Sequence, residues 1–136
     1  MMLRNTKGMT LVEVLVATLV FTMALGALLS SILTILYFID ISKAQTIAIT
    51  DLRNVMERIR ATPFANTVSS FPDNIADGPL GNPYQTIVGG YTLNNEHIRA
   101  TYANTHSDPL EIKVTLTWQD KRGRPYNTAI STFKTR

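Results

Sequence analysis

The first third of the chain is dominated by apolar residues. From Met9 to Ile39 the run is 31 residues long, and its only charged residue is Glu13. An apolar run of about 18 residues is enough to propose a membrane-spanning helix. As a helix, this run would exceed the roughly 30 Å hydrocarbon core of a bilayer. We therefore expect part of it to leave the lipid or to meet another apolar environment.

The helical pattern continues beyond this run with a different character. Apolar residues recur every three or four positions, and charged residues, Asp51 among them, fall mostly between them. The spacing predicts an amphipathic helix over 40–61, and Pro63 should end it because the residue before a proline is biased away from helix. A helix from Met9 to Ala61 would be on the order of 80 Å long, so we expect it to protrude. The apolar set comprises Ile47, Ala48, Leu52, Val55, Met56 and Ile59.

Residues 62–136 predict a small head. Turn-forming residues crowd 62–83, which predicts an irregular loop. Beyond it, Gly89-Gly90 suits a tight hairpin turn between two short strands, Gln85–Val88 and Tyr91–Leu93. Further alternating segments are His97–Tyr102, Glu111–Trp118 and Tyr126–Phe133. The predicted fold class is α+β: a long protruding N-terminal helix packed against a small antiparallel sheet of three or four strands.

Charge and composition narrow the classes of function. The net charge is +3, but two of the basic residues, Arg4 and Lys7, precede the apolar run, so the remainder is nearly neutral. Basic residues at this end place it in the cytoplasm by the positive-inside tendency. The chain contains no cysteine, which excludes disulfides, thiolate catalysis and cysteine metal sites. We find no catalytic constellation and expect a non-enzymatic protein without cofactors.

The junction between the basic and apolar segments carries the most specific signal. It reads Lys7-Gly8-Met9-Thr10-Leu11-Val12-Glu13. A basic residue, a glycine and an apolar helix with glutamate at its fifth position resemble the processing motif of type IV prepilins and type II secretion pseudopilins. The resemblance implies that a prepilin peptidase cuts between Gly8 and Met9 and that the new amine of Met9 is then methylated.

Glu13 has a physical meaning within this resemblance. An ionised carboxylate inside a bilayer-length apolar run costs several kcal/mol unless it is paired. Cleavage after Gly8 creates a positive amine at Met9, and in a staggered bundle the amine of one subunit can meet Glu13 of its neighbour. Such a buried pair adds little net stability but strongly penalises wrong registers. We therefore expect Glu13 to set the axial stagger of the incoming subunit.

The sequence pattern and the resemblance together predict four segments of the chain. Residues 1–8 form a leader, 9–39 the membrane and filament-core half of the helix, 40–61 its amphipathic half, and 62–136 the head. The interpretation is a minor pilin of a type IV pilus-like filament. It spans the inner membrane once, with its N-terminus in the cytoplasm and its head outside, and then enters an extracellular or periplasmic filament. Its expected partners are the prepilin peptidase, other pilin or pseudopilin subunits and an inner-membrane platform protein.

Three alternative functions fit the same residues. Within the same resemblance, the chain could be a pseudopilin of a type II secretion system. From another class, it could be a signal-anchored extracytoplasmic binding module. An ordinary secretory signal is also conceivable, with Leu11–Met23 as its core and a cut at Ala24-Leu25-Gly26. Against that last option, Glu13 lies within this core, and the apolar run continues thirteen residues past Gly26.

The remaining polar residues give weaker signals. Lys121, Arg122 and Arg124 crowd a turn near Tyr126, which permits a small nucleic-acid patch, although a solvated hairpin tip is the favoured interpretation. His97 and His106 are accompanied by no third ligand at a recognisable spacing, so we expect no metal site. Trp118 is expected to be a packed anchor rather than a ligand platform.

Overall fold

The computed structural model describes residues 9–75 and 83–136. The predicted leader, including Gly8, and the turn residues 77–79 and 81–82 lie outside the described residues. The chain divides into two compact units with their boundary between Asp40 and Ile41.

A single long helix, α1, spans Leu11–Ala61 and runs through both units. Its first half is apolar and exposed, and this helix is long and apolar enough to cross a membrane. Its end agrees with the prediction from Pro63, because α1 stops two residues before that proline. The remaining elements are α2 (Phe64–Ser70), α3 (Tyr84–Val88), β1 (Asn94–Tyr102), β2 (Leu110–Gln119) and β3 (Pro125–Lys134).

The three strands form one antiparallel sheet in the order β1-β2-β3. Strict alternation in β2 makes one face of that strand fully buried, and the same register continues across both neighbours. The helix stretch within the second unit supplies the complementary surface of the core. The core residues on α1 are Ala48, Leu52, Val55, Met56 and Ile59, and those on β1 and β2 include Ile98, Ala100, Ile112, Val114, Leu116 and Trp118. The predicted α+β fold class is confirmed.

Two local predictions were wrong. Gln85–Val88 and Tyr91–Leu93 are not hairpin strands, because Tyr84–Val88 is a short helix. Gly89 adopts a left-handed φ of 80° and its N–H donates to the carbonyl of Thr86. Glycine in this conformation ends helices as readily as it turns hairpins, and the surrounding segments were too short to distinguish the two. The predicted loop after residue 62 likewise contains the helix α2.

Asp51 also departs from its predicted position. The sequence pattern predicts Asp51 among the polar residues that separate the apolar positions, yet this residue is only 8% exposed. Its spacing of three residues from Ala48 and four from Val55 places it on the buried face of α1.

Candidate functional site

The N-terminus of α1 is closed by a reciprocal pair of side chains. The backbone N–H of Thr10 donates to Oε2 of Glu13 at 3.2 Å, and the backbone N–H of Glu13 donates to Oγ1 of Thr10 at 3.3 Å. The Thr10 hydroxyl lies 3.3 Å from the same carboxylate oxygen. This is a capping box, in which two backbone donors at the helix start are satisfied by the side chains at its first and fourth positions.

The capping box gives Glu13 a role inside a single chain. The carboxylate also lies at the positive end of the helix dipole, where negative charge is favourable. Thr10, Glu13 and Met9 are all exposed in this chain taken alone. A threonine three residues before a glutamate is the usual sequence signal for this cap, so the role of Thr10 is one that the sequence alone could have indicated.

The side chains of the first half of α1 are exposed in the single chain. Every residue from Met9 to Leu36 is exposed, and large apolar residues occur on all sides of the helix. Several of its hydroxyl groups bond to the backbone: Thr18 donates to the carbonyl of Leu15 and Thr22 to that of Leu19. Such bonding removes hydroxyl donors from the surface and makes the helix compatible with lipid or with apolar neighbours.

The basic hairpin tip is organised by an acidic residue. The carboxylate of Asp120 accepts hydrogen bonds from the backbone N–H groups of Arg122 and Arg124, both at 2.8 Å. Nε of Arg124 also donates to Oδ2 of Asp120 at 3.0 Å, which partly neutralises its charge. Lys121 belongs to the same exposed turn. The carboxylate of Asp120 therefore reduces the positive charge of this turn. A nucleic-acid patch at the turn stays a prediction.

The aromatic residues at the base of this hairpin pack on one another. The rings of Trp118 and Tyr126 stack at 5.7 Å between centroids with an interplanar angle of 20°. Trp118 is only 4% exposed, so its ring is a core residue and is not open to a ligand.

The histidines belong to separate local arrangements. Nε2 of His97 lies 3.2 Å from Oδ1 of Asn95, and Nδ1 of His106 lies 3.1 Å from Oγ1 of Thr105. Within residues 9–75 and 83–136, no group of three or more His, Cys, Asp or Glu side chains is arranged to hold a metal ion.

A buried pair of carboxyl groups links α1 to the start of β1. Glu96 is 3% exposed, and its Oε2 accepts hydrogen bonds from the backbone N–H groups of Thr92 and Leu93 at 3.1 and 3.0 Å. Its Oε1 is buried and accepts no hydrogen bond from the described residues while Asp51 is ionised. Burial, followed by the charge of Glu96 and a hydrogen bond to it, raises the pKa of Asp51 to about 6. A protonated Asp51 is therefore suited to share its proton with Glu96.

A lysine from the sheet caps the other end of α1. Nζ of Lys134 donates to the carbonyls of Ile59 at 2.7 Å and Arg60 at 3.1 Å, and also to that of Thr62. The last carbonyls of a helix lack the usual donors four residues further on, and the positive charge complements the negative end of the helix dipole. The carbonyl of Ile59 also accepts the N–H of Thr62 at 3.3 Å. Desolvation lowers the pKa of Lys134 from its ordinary value. Lys134 thus ties the end of β3 to the end of α1.

Comparisons with known proteins bear on the N-terminal segment. Residues 3–36 match the family described as the prokaryotic N-terminal methylation motif. This segment contains Gly8, Met9, Thr10 and Glu13, and the match identifies the motif that the sequence analysis inferred. Searches of curated proteins and of solved structures find no match to the chain.

Proposed function

Since the chain carries the N-terminal methylation motif typical of type IV pilins and type II secretion pseudopilins, which are structural and non-enzymatic proteins, we propose that it is a minor pilin. In this role it is cut after Gly8, methylated at Met9 and built by α1 into a type IV pilus-like filament. The motif implies processing by a prepilin peptidase. The apolar helix α1 is consistent with a prepilin anchored in the inner membrane.

The observation that carries the proposal is the motif together with the uncovered helix that follows it. The first half of α1 exposes residues such as Leu11 at 81% and Leu33 at 68%. Burying a leucine side chain of this size contributes roughly 2 kcal/mol, so a helix with many such residues requires an apolar environment. Lipid provides it before assembly, and the packed helices of a filament provide it afterwards.

Glu13 supports assembly by exchanging partners. In the single chain its carboxylate accepts the Thr10 N–H within the capping box. In the proposed filament the amine of Met9 from a neighbouring subunit approaches the same carboxylate and neutralises it. A subunit in a wrong register would leave the charge unpaired in an apolar interior, which costs several kcal/mol. The pair therefore selects the axial stagger rather than supplying the adhesion.

Two features favour a minor subunit over the bulk filament protein. The helix carries no proline between residues 9 and 62, whereas many major pilins have a helix-kinking proline there. The chain has no C-terminal pair of cysteines that could close a loop. A pseudopilin of a type II secretion system is the second candidate, because it shares the motif. A signal-anchored extracytoplasmic binding module is the alternative from another class.

The deciding experiment measures the intact mass and the N-terminal sequence of the chain recovered from its native membranes. We expect a chain that begins at Met9 and is heavier by one methyl group. A Gly8→Arg control should keep its leader and accumulate as the precursor. A wild-type chain that begins at Met1 or Ala27 would contradict the proposal and favour the anchor or the secreted domain.

A pair of substitutions then separates the two roles of Glu13. Glu13→Gln retains an amide that can complete the capping box but removes the charge, whereas Glu13→Ala removes both. We expect both variants to be processed normally and both to enter the filament poorly, because the register depends on the charge. Wild-type incorporation of Glu13→Gln, with loss only for Glu13→Ala, would mean that Glu13 acts as a helix cap.

A further inference from the structure

The two outer edges of the sheet differ in how their backbone groups are used. The edge of β1 is covered: the N–H of Asn74 donates to the carbonyl of Ala100 at 2.8 Å, and the N–H of Ala100 donates to the hydroxyl of Tyr84 at 3.2 Å. The N–H of Tyr102 donates to Oδ1 of Asp73 at 3.1 Å. This edge therefore has hydrogen-bond partners from within the chain.

The register shows which groups of β3 face the opposite edge. Both backbone groups of Ala100 point away from β2, so its opposite residue, Val114, directs its own groups toward β3. Val114 pairs with Ile130, whose groups are therefore used within the sheet. The alternate residues Asn127, Ala129, Ser131 and Phe133 direct their N–H and carbonyl groups outward. Within the described part of the chain, no hydrogen bond is found to these outward groups.

The composition of β3 leaves this edge unprotected. From Tyr126 to Phe133 the strand contains no charged residue, and Pro125 and Lys134 lie only at its ends. Natural proteins usually protect a long free edge with charges, prolines or bulges. The inward face of β3 is also incompletely covered, because Tyr126 and Ile130 are half-buried whereas the corresponding face of β2 is buried throughout. The apolar layer thus continues to the edge, where one more strand would cover it.

The row of backbone groups defines what can bind there. Only an extended chain offers donors and acceptors at the same spacing, so the occupant is a β-strand. Antiparallel pairing with β3 of a second copy is disfavoured, because the two-fold axis of such a pair would reverse the buried half of α1 in one of the two chains. The subunits of the proposed filament share one direction.

We propose that the free edge of β3 binds an extended segment of a different filament subunit, which adds to the sheet as a fourth strand. The fitting segment has apolar residues at alternate positions, directed toward Tyr126 and Ile130, and is uncharged in its centre. The identity of the partner as a filament subunit rests on the proposed function, whereas the open edge is a property of this chain alone.

Site-specific crosslinking in the native membranes tests the location of the contact. The chain has no cysteine, so Ala129→Cys and Thr115→Cys each provide one attachment point for a thiol-reactive photo-crosslinker. Ala129 and Thr115 are directly opposite each other on the exposed face, but only Ala129 is in the edge strand. We expect position 129 to crosslink to an alternating segment of another protein with an N-terminal methylation motif, and position 115 to give little product.

A proline variant tests the hydrogen bonding itself. Ser131→Pro removes an outward N–H and leaves the bonds between β2 and β3 in place, whereas Ser131→Ala keeps that N–H. We expect Ser131→Pro to reduce the crosslink at position 129 by roughly five- to tenfold, the effect of one lost backbone hydrogen bond, and Ser131→Ala to leave it unchanged. Circular dichroism and the thermal midpoint of each variant establish that the head is folded.

The outcomes separate this inference from the proposed function. Equal crosslinking at 115 and 129, products formed only with copies of this chain, or insensitivity to Ser131→Pro would each overturn strand addition at β3. A wild-type chain that begins at Met9 and is recovered with filaments would nevertheless maintain the minor pilin assignment. A chain that retains its leader would contradict that assignment, and an edge-specific crosslink to another protein would then still establish strand binding but not the partner class.

Discussion

The two halves of α1 share one continuous helix but differ in how their apolar residues are used. From Met9 to Leu36 every side chain is exposed. In the half within the second unit, Ala48, Val55 and Ile59 are fully buried. Most charged residues between them, Arg53, Glu57 and Arg58, stay at the surface, and Asp51 is the buried exception. The difference follows from composition, because an apolar surface on all sides cannot be covered by one small sheet, whereas a single apolar stripe can.

The two halves of α1 therefore have different roles, one in the folding of the head and one in contacts outside it. The second half of the helix obtains its apolar environment from the sheet of the same chain, so it contributes to the stability of the head. The first half has no such cover among the described residues of its own chain, so its apolar surface is open to lipid or, in the proposed filament, to other subunits. A substitution should therefore affect the head or the assembly according to the half in which it lies.

The sharpest test places the same kind of truncation in each region. Ile112→Ala in the buried face of β2 should destabilise the head by about 3 to 4 kcal/mol, since it removes a fully buried side chain and leaves a cavity. Leu19→Ala in the exposed half should change the free energy of unfolding by less than about 0.5 kcal/mol. Urea unfolding of the full chain in mild detergent, followed by the fluorescence of Trp118, measures both.

Trp118 is the only tryptophan and lies in the core of the head, so the signal reports on that unit. Equal losses of stability for Ile112→Ala and Leu19→Ala would mean that the first half of α1 also supports the folded head. The contrast between the two halves would then be lost.

The stability of the head should depend on pH because of Asp51. This residue lies on the buried face of the second half of α1, twelve residues beyond the apolar run. Its pKa is raised from 3.8 to about 6 in the folded state. The native state therefore binds more protons than the unfolded state between these values, and this residue makes stability fall as the pH rises from about 4 to 6. The loss should reach about 2 to 3 kcal/mol at most and level off above about pH 6.5.

Asp51→Asn provides the matched comparison, because an amide can donate a hydrogen bond to the Glu96 carboxylate at every pH. We expect the variant to be more stable than the wild type at pH 7.5 and to match it near pH 4. Thermal midpoints measured across this range check the prediction. A constant difference between the two proteins at all pH values would rule out titration of Asp51 as the cause.

A smaller effect is expected where α1 ends against β3. Lys134→Met keeps much of the side-chain volume but removes the donor to the carbonyls of Ile59 and Arg60. The head should lose about 1 to 2 kcal/mol, the value of charge-assisted hydrogen bonds at a partly buried helix terminus. Lys113→Met on the exposed sheet face is the control and should stay within about 0.5 kcal/mol of the wild type.

The smallest effect concerns the start of the helix. Thr10→Ala removes the hydroxyl that accepts the N–H of Glu13 and should cost about 1 kcal/mol of local helix stability. Thr18→Ala, which removes a hydroxyl bonded to the carbonyl of Leu15 inside the helix, is the comparison. Amide hydrogen exchange in detergent micelles should show faster exchange over the first turn for Thr10→Ala alone. Equal exchange rates over the first turn in Thr10→Ala and Thr18→Ala would argue against the capping box.

Local patterns predicted the elements whose signal was long or strictly periodic. The end of α1 near Pro63 and the strands β1, β2 and β3 agree with the sequence analysis to within a few residues. The short segment before Gly89 was misassigned because five residues do not distinguish a helix from a strand. Asp51 was misplaced because a charged residue was assumed to face solvent, although its helical spacing indicated the buried face.

The functional residues likewise include some that local sequence predicts and some that it does not. Gly8, Met9 and Glu13 were predicted from a contiguous motif of seven residues, which can be recognised without a folded head, and their roles in processing and assembly stay predictions. Asp51 and Glu96 are 45 positions apart in the chain, and no local pattern indicates that they meet. The same holds for Lys134, which reaches α1 only through the return of β3.

The order of neighbouring residues is enough to predict the apolar first half of α1, the methylation motif and the alternation of the strands. The folded head was needed to show that Lys134 caps α1, that Asp51 faces a buried glutamate, and that the edge of β1 is covered whereas that of β3 has no partner among the described residues. These features depend on which distant segments share a surface, and that arrangement is set by packing of the whole head rather than by any local pattern.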